Sequence, residues 1–270
     1  MAKNSKIEWT HHTFNPWWGC VKLSPACKHC YAETWARRVG QQVWGIRAPR
    51  RFFSDDHWNA PKIWEKEAQT EGLRRRVFCA SMADVFEDRR ELDVWRERLW
   101  ALIAQTPHLD WLLLTKRPEK IAGLTPWGKS WPENVWLGTT AETQKWANDR
   151  IPALVKNPAK VLFLSCEPLL GPLDLNPWIE TKINWVIAGG ESGGKSRPTD
   201  PQWVRQLRDQ CVNHKVPFHF KQWGNWAPIN EAAERKRIKM LASGETLVRV
   251  NKKDAGRSLD GRTWDGSPIA

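Results

Sequence analysis

The chain has 270 residues, 41% of them hydrophobic and 27% charged, which suffices for a sizeable core and excludes a disordered or fibrous chain. Its longest apolar runs, such as Trp111-Leu112-Leu113-Leu114, are too short to span a membrane. No apolar stretch follows the lysines of Met1-Ala2-Lys3-Asn4-Ser5-Lys6, so a soluble cytoplasmic protein is expected. A formal net charge of +12 points to a polyanionic partner, and residues 1–76 hold 14 basic against 7 acidic side chains. The aromatic content is skewed to 20 Trp against the single Tyr31. Trp serves cores and base-stacking platforms equally well.

In chain order, the first distinctive segment is Gly19-Cys20-Val21-Lys22-Leu23-Ser24-Pro25-Ala26-Cys27-Lys28-His29-Cys30-Tyr31. Tyr31, Ala32, Trp35, Ala36 and Val39 then follow helical spacing. Past residue 70, apolar runs start at Val77, Trp111, Val135, Val161, Trp185 and Val216, 24 to 34 residues apart. Such runs have the form of strands buried on both faces. Helical patterns lie between them at Leu92–Ile103, Trp146–Val155 and Trp203–Val212. Thr139 with Glu142 reads as a capping box, and Asp200-Pro201 as an N-cap followed by an N1 proline. This alternation implies an α/β fold, a parallel (β/α) full or partial barrel over residues 1–227. After Trp226 the rhythm stops. Residues 228–270, with Glu234-Arg235-Lys236-Arg237-Ile238-Lys239 and a hairpin around Ser243-Gly244, read as a basic C-terminal extension packing on the barrel.

Chemistry in parallel barrels gathers where strands end. That rim would present Ser81 and Asp84, Lys116 and Arg117, Thr139 and Glu142, Ser165 and Glu167, Glu191 after Gly189-Gly190, and Lys221. Each has a plainer alternative: Asp84 and Glu142 as helix caps, Lys116-Arg117 as solvated loop charge.

Six cysteines in a cytoplasmic chain argue for metal or redox chemistry over disulfides. Cys79, Cys166 and Cys211 stand singly and read as packing residues. Cys20, Cys27 and Cys30 share a polar loop and can converge on one centre. An iron–sulfur cluster with an open iron is one option. Zinc, with His29 or a histidine of His11-His12 as fourth ligand, is the other. Further on, Gly189-Gly190-Glu191-Ser192-Gly193-Gly194-Lys195-Ser196 fits the phosphate-loop pattern. Arg197-Pro198-Thr199-Asp200-Pro201 postpones the helix such a loop requires, which argues against a P-loop nucleotide hydrolase.

The cysteine loop resembles the cluster-binding loop of radical S-adenosylmethionine (radical SAM) enzymes, usually Cys-x3-Cys-x-aromatic-Cys. The whole chain is similar to a poorly characterised, often phage-encoded three-cysteine-motif family, a divergent branch of that superfamily. Resembling segments include Ile7-Glu8-Trp9-Thr10, Thr115-Lys116-Arg117-Pro118, Leu164-Ser165-Cys166-Glu167-Pro168-Leu169, Phe220-Lys221-Gln222-Trp223-Gly224 and Leu259-Asp260-Gly261-Arg262. The chain departs from the pattern in three ways. Six residues separate Cys20 from Cys27, His29 takes the aromatic place, and Gly189-Gly190-Glu191 follows a late strand, leaving the strand-two position to Ser81 and Asp84.

The resemblance implies a 4Fe-4S cluster on Cys20, Cys27 and Cys30, with S-adenosylmethionine on the open iron. It further implies a 5′-deoxyadenosyl radical and an electron donor such as flavodoxin or ferredoxin. Lys116 and Arg117 would pair with the methionine carboxylate and Thr139 or Ser165 with the ribose. Ser81, Asp84 and Glu142 would complete the cofactor contacts, and Glu167, Glu191 and Lys221 would be catalytic. The expected substrate is DNA, RNA or a nucleotide. Arg47, Arg50, Arg51 and Arg74-Arg75-Arg76 would neutralise phosphates, and Trp17, Trp18 or Trp44 would stack on bases. The competing reading is a zinc- or cluster-stabilised nucleic-acid-binding protein without catalysis.

Overall fold

Short β-branched and aromatic runs pair side by side in a computed structural model that describes residues 2–229 and 237–268. Glu234, Arg235 and Lys236 of the basic segment lie outside the described residues. Strand β1 (His12–Phe14) precedes helices α1 (Tyr31–Arg38) and α2 (Asp55–Glu71). Then come β2 (Arg75–Cys79), α3 (Asp93–Ala104), β3 (Leu109–Thr115), the single turn α4 (Ile121–Leu124) and β4 (Val135–Thr140). The alternation continues through α5 (Gln144–Leu154), β5 (Val161–Cys166), the short α6 (Asn176–Ile179), β6 (Trp185–Gly189), α7 (Pro201–Asn213) and β7 (Phe218–Gln222). The last elements are β8 (Trp226–Pro228), β9 (Ile238–Met240), β10 (Thr246–Arg249) and the one-turn α8 (Lys252–Ala255).

Strands β1 to β7 form one sheet in chain order, each pair parallel. β1 and β7 are not neighbours, so the barrel is partial. Open edges invite pairing with other chains. Here both are covered, β1 by Ala2 opposite Thr13 and β7 by Asp265 opposite His219. No helix among the described residues is long and apolar enough to cross a membrane.

Strand side chains alternate between two faces. Val77, Trp111, Leu113, Leu137, Leu164, Cys166 and Val186 pack outward beneath the helices. Phe78, Leu112, Trp136, Phe163, Trp185 and Ile187 point inward, where Trp9 joins them. The Trp9 ring lies 4.6 Å from Phe78 and 6.2 Å from Trp185. Trp185 Nε1 donates to the Gly266 carbonyl at 2.7 Å, so both ends of the chain meet at this tryptophan. The aromatic plug fills the interior and leaves its polar positions to the C-terminal mouth. A Cβ on Gly138 would lie 2.4 Å from the Phe163 ring, so the missing side chain makes room for the plug.

The structure extends some expectations and corrects others. Asp200 caps α7 by accepting from Gln202 N, and the hairpin at Ser243-Gly244 pairs β9 with β10. The Thr139–Glu142 capping box does not form. Thr139 lies inside β4, which ends at Thr140, and α5 starts only at Gln144 after Thr143. Helix α2 was not predicted, because Pro61 and scattered polar residues obscure its buried stripe of Trp58, Trp64 and Ala68. Trp17 is fully buried and cannot stack on a base. Cys79, Cys166 and Cys211 are all 0% exposed among the outward-facing core residues.

Overpacking a filled core costs about 1–3 kcal/mol. Gly138→Ala should therefore lower the unfolding free energy by about that much, and by less than half as much when placed on a Phe163→Leu background. Urea unfolding of the four proteins in this cycle checks the outcome.

Candidate active site

The cysteine loop forms a roof over the C-terminal ends of the strands. It leaves the sheet through Gly19, whose N–H donates to Met82 O at 3.0 Å, and Cys20 O accepts from Gly45 N at 3.0 Å. One tight turn over Pro25–Cys27 follows, with Cys27 N bonded to Ser24 O at 2.9 Å. Cys30 then occupies the N-cap position of α1.

Three carboxylate–arginine pairs fasten this roof, each from a different strand end. Arg117, after β3, donates to Val21 O at 3.0 Å and to Cys20 Sγ at 3.8 Å. Its Nη1 also donates at 2.8 Å to Asp84, which accepts from Thr115 Oγ1 at 2.7 Å and Lys116 N at 3.1 Å as well. Glu142, after β4, is 0% exposed and accepts from Ala26 N at 3.4 Å, while Arg150 Nη1 donates to it at 2.8 Å. Glu191, after β6, accepts from Arg197 Nη2 at 2.5 Å and Nε at 2.9 Å and from His29 Nδ1 at 3.1 Å. The same Arg197 reaches across to Pro25 O at 2.9 Å. Burial pushes the Glu191 carboxyl upward, but hydrogen bonds from Arg197 and His29 outweigh it and hold it below the usual carboxylate range.

Beneath the roof, the inward positions at the strand ends are polar. The ring of Tyr31 is exposed, but its hydroxyl turns in to donate to Ser81 O at 2.8 Å. Asn15 Nδ2 donates to Ser81 Oγ at 3.1 Å. Glu167 accepts from Lys221 Nζ at 2.9 Å and from Gln222 Nε2 at 3.2 Å. Strand alternation puts Lys116 and Ser165 on the same inner face. Among the described residues no carboxylate lies within 4.0 Å of the Lys116 ammonium.

Of the residues expected at the rim, Ser81, Lys116, Ser165, Glu167 and Lys221 thus gather at the mouth. Asp84, Arg117, Glu142 and Glu191 gather too, but their charges are occupied in holding the roof. Thr139 does not join them. It is fully buried on the helix side and donates to Thr115 O at 2.8 Å, which leaves no hydroxyl proton for a ribose. Cys166 likewise faces the helices. Arg197, Asn15 and Tyr31 were missed as rim residues. Asn15 follows β1, a strand too short to register, and bonds Ser81 and Met82. Arg197 and Tyr31 reach the mouth through their contacts with the roof and Ser81.

The three thiols form no disulfide and are each partly accessible. Burial pushes the Cys27 thiol up, yet Lys116 and hydrogen bonds at Leu23 and Ser24 bring it below its ordinary value. Burial raises Cys30, against the same Lys116 charge, and Cys27 raises it further, so these two thiols share one neighbourhood. Cys20 is pushed up to about 12 by burial and by Asp84, partly countered by Arg117. Among the described residues no three Cys, His, Asp or Glu side chains converge closely enough to hold a metal ion. The donor set itself, three uncrosslinked cysteines on one partly accessible loop, has the chemistry an iron–sulfur cluster needs.

A family model described as "Protein of unknown function (DUF5131)" matches residues 4–268. No curated protein matches. Among solved structures, the chain is similar to a double mutant of spore photoproduct lyase with bound AdoMet and dinucleoside spore photoproduct. That match has 12% identity and a TM-score of 0.47 and covers 91% of this chain and 70% of that chain. It is similar also to the lyase complexed with dinucleoside spore photoproduct, at 12% identity and a TM-score of 0.46, covering 93% and 72%.

Removing one partner of a buried ion pair strands the other charge at a cost of about 3–5 kcal/mol. Arg117→Gln should destabilise the protein by roughly that amount, and Arg117→Gln with Asp84→Asn by clearly less. Denaturant unfolding measures these and Asp84→Asn alone; a double-variant loss equal to the sum of the two single losses would show that the two side chains are uncoupled.

Proposed function

Because the chain belongs to the DUF5131 family, whose description carries no activity, we propose from the site itself that the protein is a radical SAM enzyme acting on nucleic acid. The observation that carries this reading is the roof of three free thiols fastened over a polar mouth. Cys20, Cys27 and Cys30 would hold a 4Fe-4S cluster, which when bound supplies one electron to S-adenosylmethionine and initiates radical chemistry.

The chain's own residues do the remaining work. Lys116, with its ammonium near Cys27 and Cys30, binds the methionine carboxylate as a point charge. Ser165 and Ser81 offer hydroxyls on the inner face for the ribose. Asp84, Arg117, Glu142 and Glu191 act as positioning residues that fix the roof before any ligand arrives, so little ordering remains to be done on binding. Lys221 Nζ and the Glu167 carboxylate form a pair in which a proton can be held close to the substrate. The interior plug of Phe78, Trp136, Phe163 and Trp185 closes the mouth from below and keeps water out of it.

Anaerobically reconstituted, reduced protein should cleave S-adenosylmethionine to 5′-deoxyadenosine, detected by mass spectrometry. Cys27→Ala should abolish the product, and Lys116→Ala should raise the concentration of S-adenosylmethionine needed by about tenfold or more, the size expected for one charge-assisted contact. Absence of 5′-deoxyadenosine from an iron-loaded preparation would overturn the proposal.

A further inference from the structure

The N-terminal arginines do not supply a free cationic surface. Arg50 is buried against Glu87 at 2.5 Å, Arg74 pairs with Asp110 at 2.5 Å, and Arg75 pairs with Glu71. Arg51 lies over the Trp18 ring at 4.7 Å and Arg76 over Trp185 at 5.8 Å. Of that set, Arg47 stays exposed with no carboxylate partner among the described residues. A denser cluster of unpaired cations lies elsewhere.

It lies on the loop after β6 and the small sheet that follows. A cavity of about 510 Å³ opens between Gly194–Pro198 and strands β8, β9 and β10, lined by Lys195, Arg237, Lys239 and Arg249. A second cavity of about 470 Å³ continues from it past Gly193, Gly194 and Arg249, and among the described residues Asp254 is the only carboxylate lining either one. Lys195, Arg237 and Lys239 are exposed, and no salt bridge occupies them among the described residues. Arg249 is fixed by its hydrogen bond to Gly194 O and lies 5.6 Å from the buried Trp226 ring.

Two further features point to a ligand. Ser196 lines the first cavity, and its hydroxyl is buried and has no partner among the described residues. The amides of Gly194 and Lys195 likewise have no acceptor among the described residues. Gly193 takes a φ of +112°, open to glycine but costly to other residues, and this turn leaves those amides on the surface. The run that fits a phosphate-loop pattern therefore offers free N–H groups and cations without the helix a triphosphate site requires.

We infer that this groove binds the phosphodiester backbone of a nucleic acid. Backbone amides, a hydroxyl and spaced Lys and Arg side chains are the donors that hold phosphates without reading sequence. Two cavities joined end to end suit a chain of phosphates better than one nucleotide. Arg197 links the groove to the cysteine loop, because it lines the first cavity and donates to Pro25 O at 2.9 Å. A strand lying in the groove would thus pass beside the roof. As the substrate groove of the proposed enzyme it rests on the reading above; as a binding surface it stands without the cysteines.

The test is fluorescence anisotropy of a labelled oligothymidylate of about 20 nucleotides with the full chain between about 50 and 200 mM salt. Lys195→Glu combined with Lys239→Glu should weaken binding by about tenfold or more and reduce the salt slope by about two, whereas Arg47→Glu should change neither. Lys195→Gln with Lys239→Gln should show the same direction with a smaller loss, and circular dichroism melting should show each variant folded. Unchanged binding by the double variants, loss confined to Arg47→Glu, or equal competition by thymidine monophosphate and by the unlabelled oligomer would overturn the inference. Iron measured on the same samples separates the two proposals: iron-free protein that still binds in this pattern keeps the groove and counts against the cluster.

Discussion

Three buried carboxylate–arginine pairs hold the cysteine loop to the sheet: Asp84 with Arg117, Glu142 with Arg150, and Glu191 with Arg197. Each carboxylate or its arginine also bonds a backbone or side-chain group of the loop, so the pairs act as fasteners as well as neutralised charges. Such pairs add little net stability, because desolvation offsets their attraction. Their effect is geometric. A polar loop rich in Lys and Ser would otherwise stay in solvent, and any thiols on it would have no fixed relation to the strand ends.

The sheet that receives these pairs was largely legible in the sequence. Six of its strands coincide with apolar runs, continuous in β3, β5 and β6, and burial on both faces is the physical cause of that signal. The exceptions have equally physical causes. His12–Phe14 is too short and too polar to register as β1, and its place comes from pairing with β2 at Thr13 and Phe78. Helix α2 hides its buried stripe behind Pro61. The edge cover of residues 264–266 depends on where the chain returns, which no local pattern encodes.

The mouth was legible as a set of strand ends but not as a division of labour. Spacing marks Asp84, Glu142 and Glu191 as rim carboxylates, whereas only the fold reveals that arginines at 117, 150 and 197 claim them. Charge counting failed for a related reason. The basic excess of residues 1–76 is real, but ion pairs and aromatic faces absorb most of its arginines. One cluster of cations without carboxylate partners among the described residues stands on the loop and hairpin after β6, where the sequence shows only a broken phosphate-loop pattern. The cysteine loop and the proposed groove meet at Arg197, which bonds the one and lines the other.

In the proposed enzyme the fastened loop presents Cys20, Cys27 and Cys30 to a single cluster. Iron and acid-labile sulfide, determined on chain prepared without oxygen, test it most directly. About four of each per chain are expected, lost together when the three cysteines are replaced by alanine. A colourless protein containing zinc, or iron content indifferent to those replacements, would contradict it.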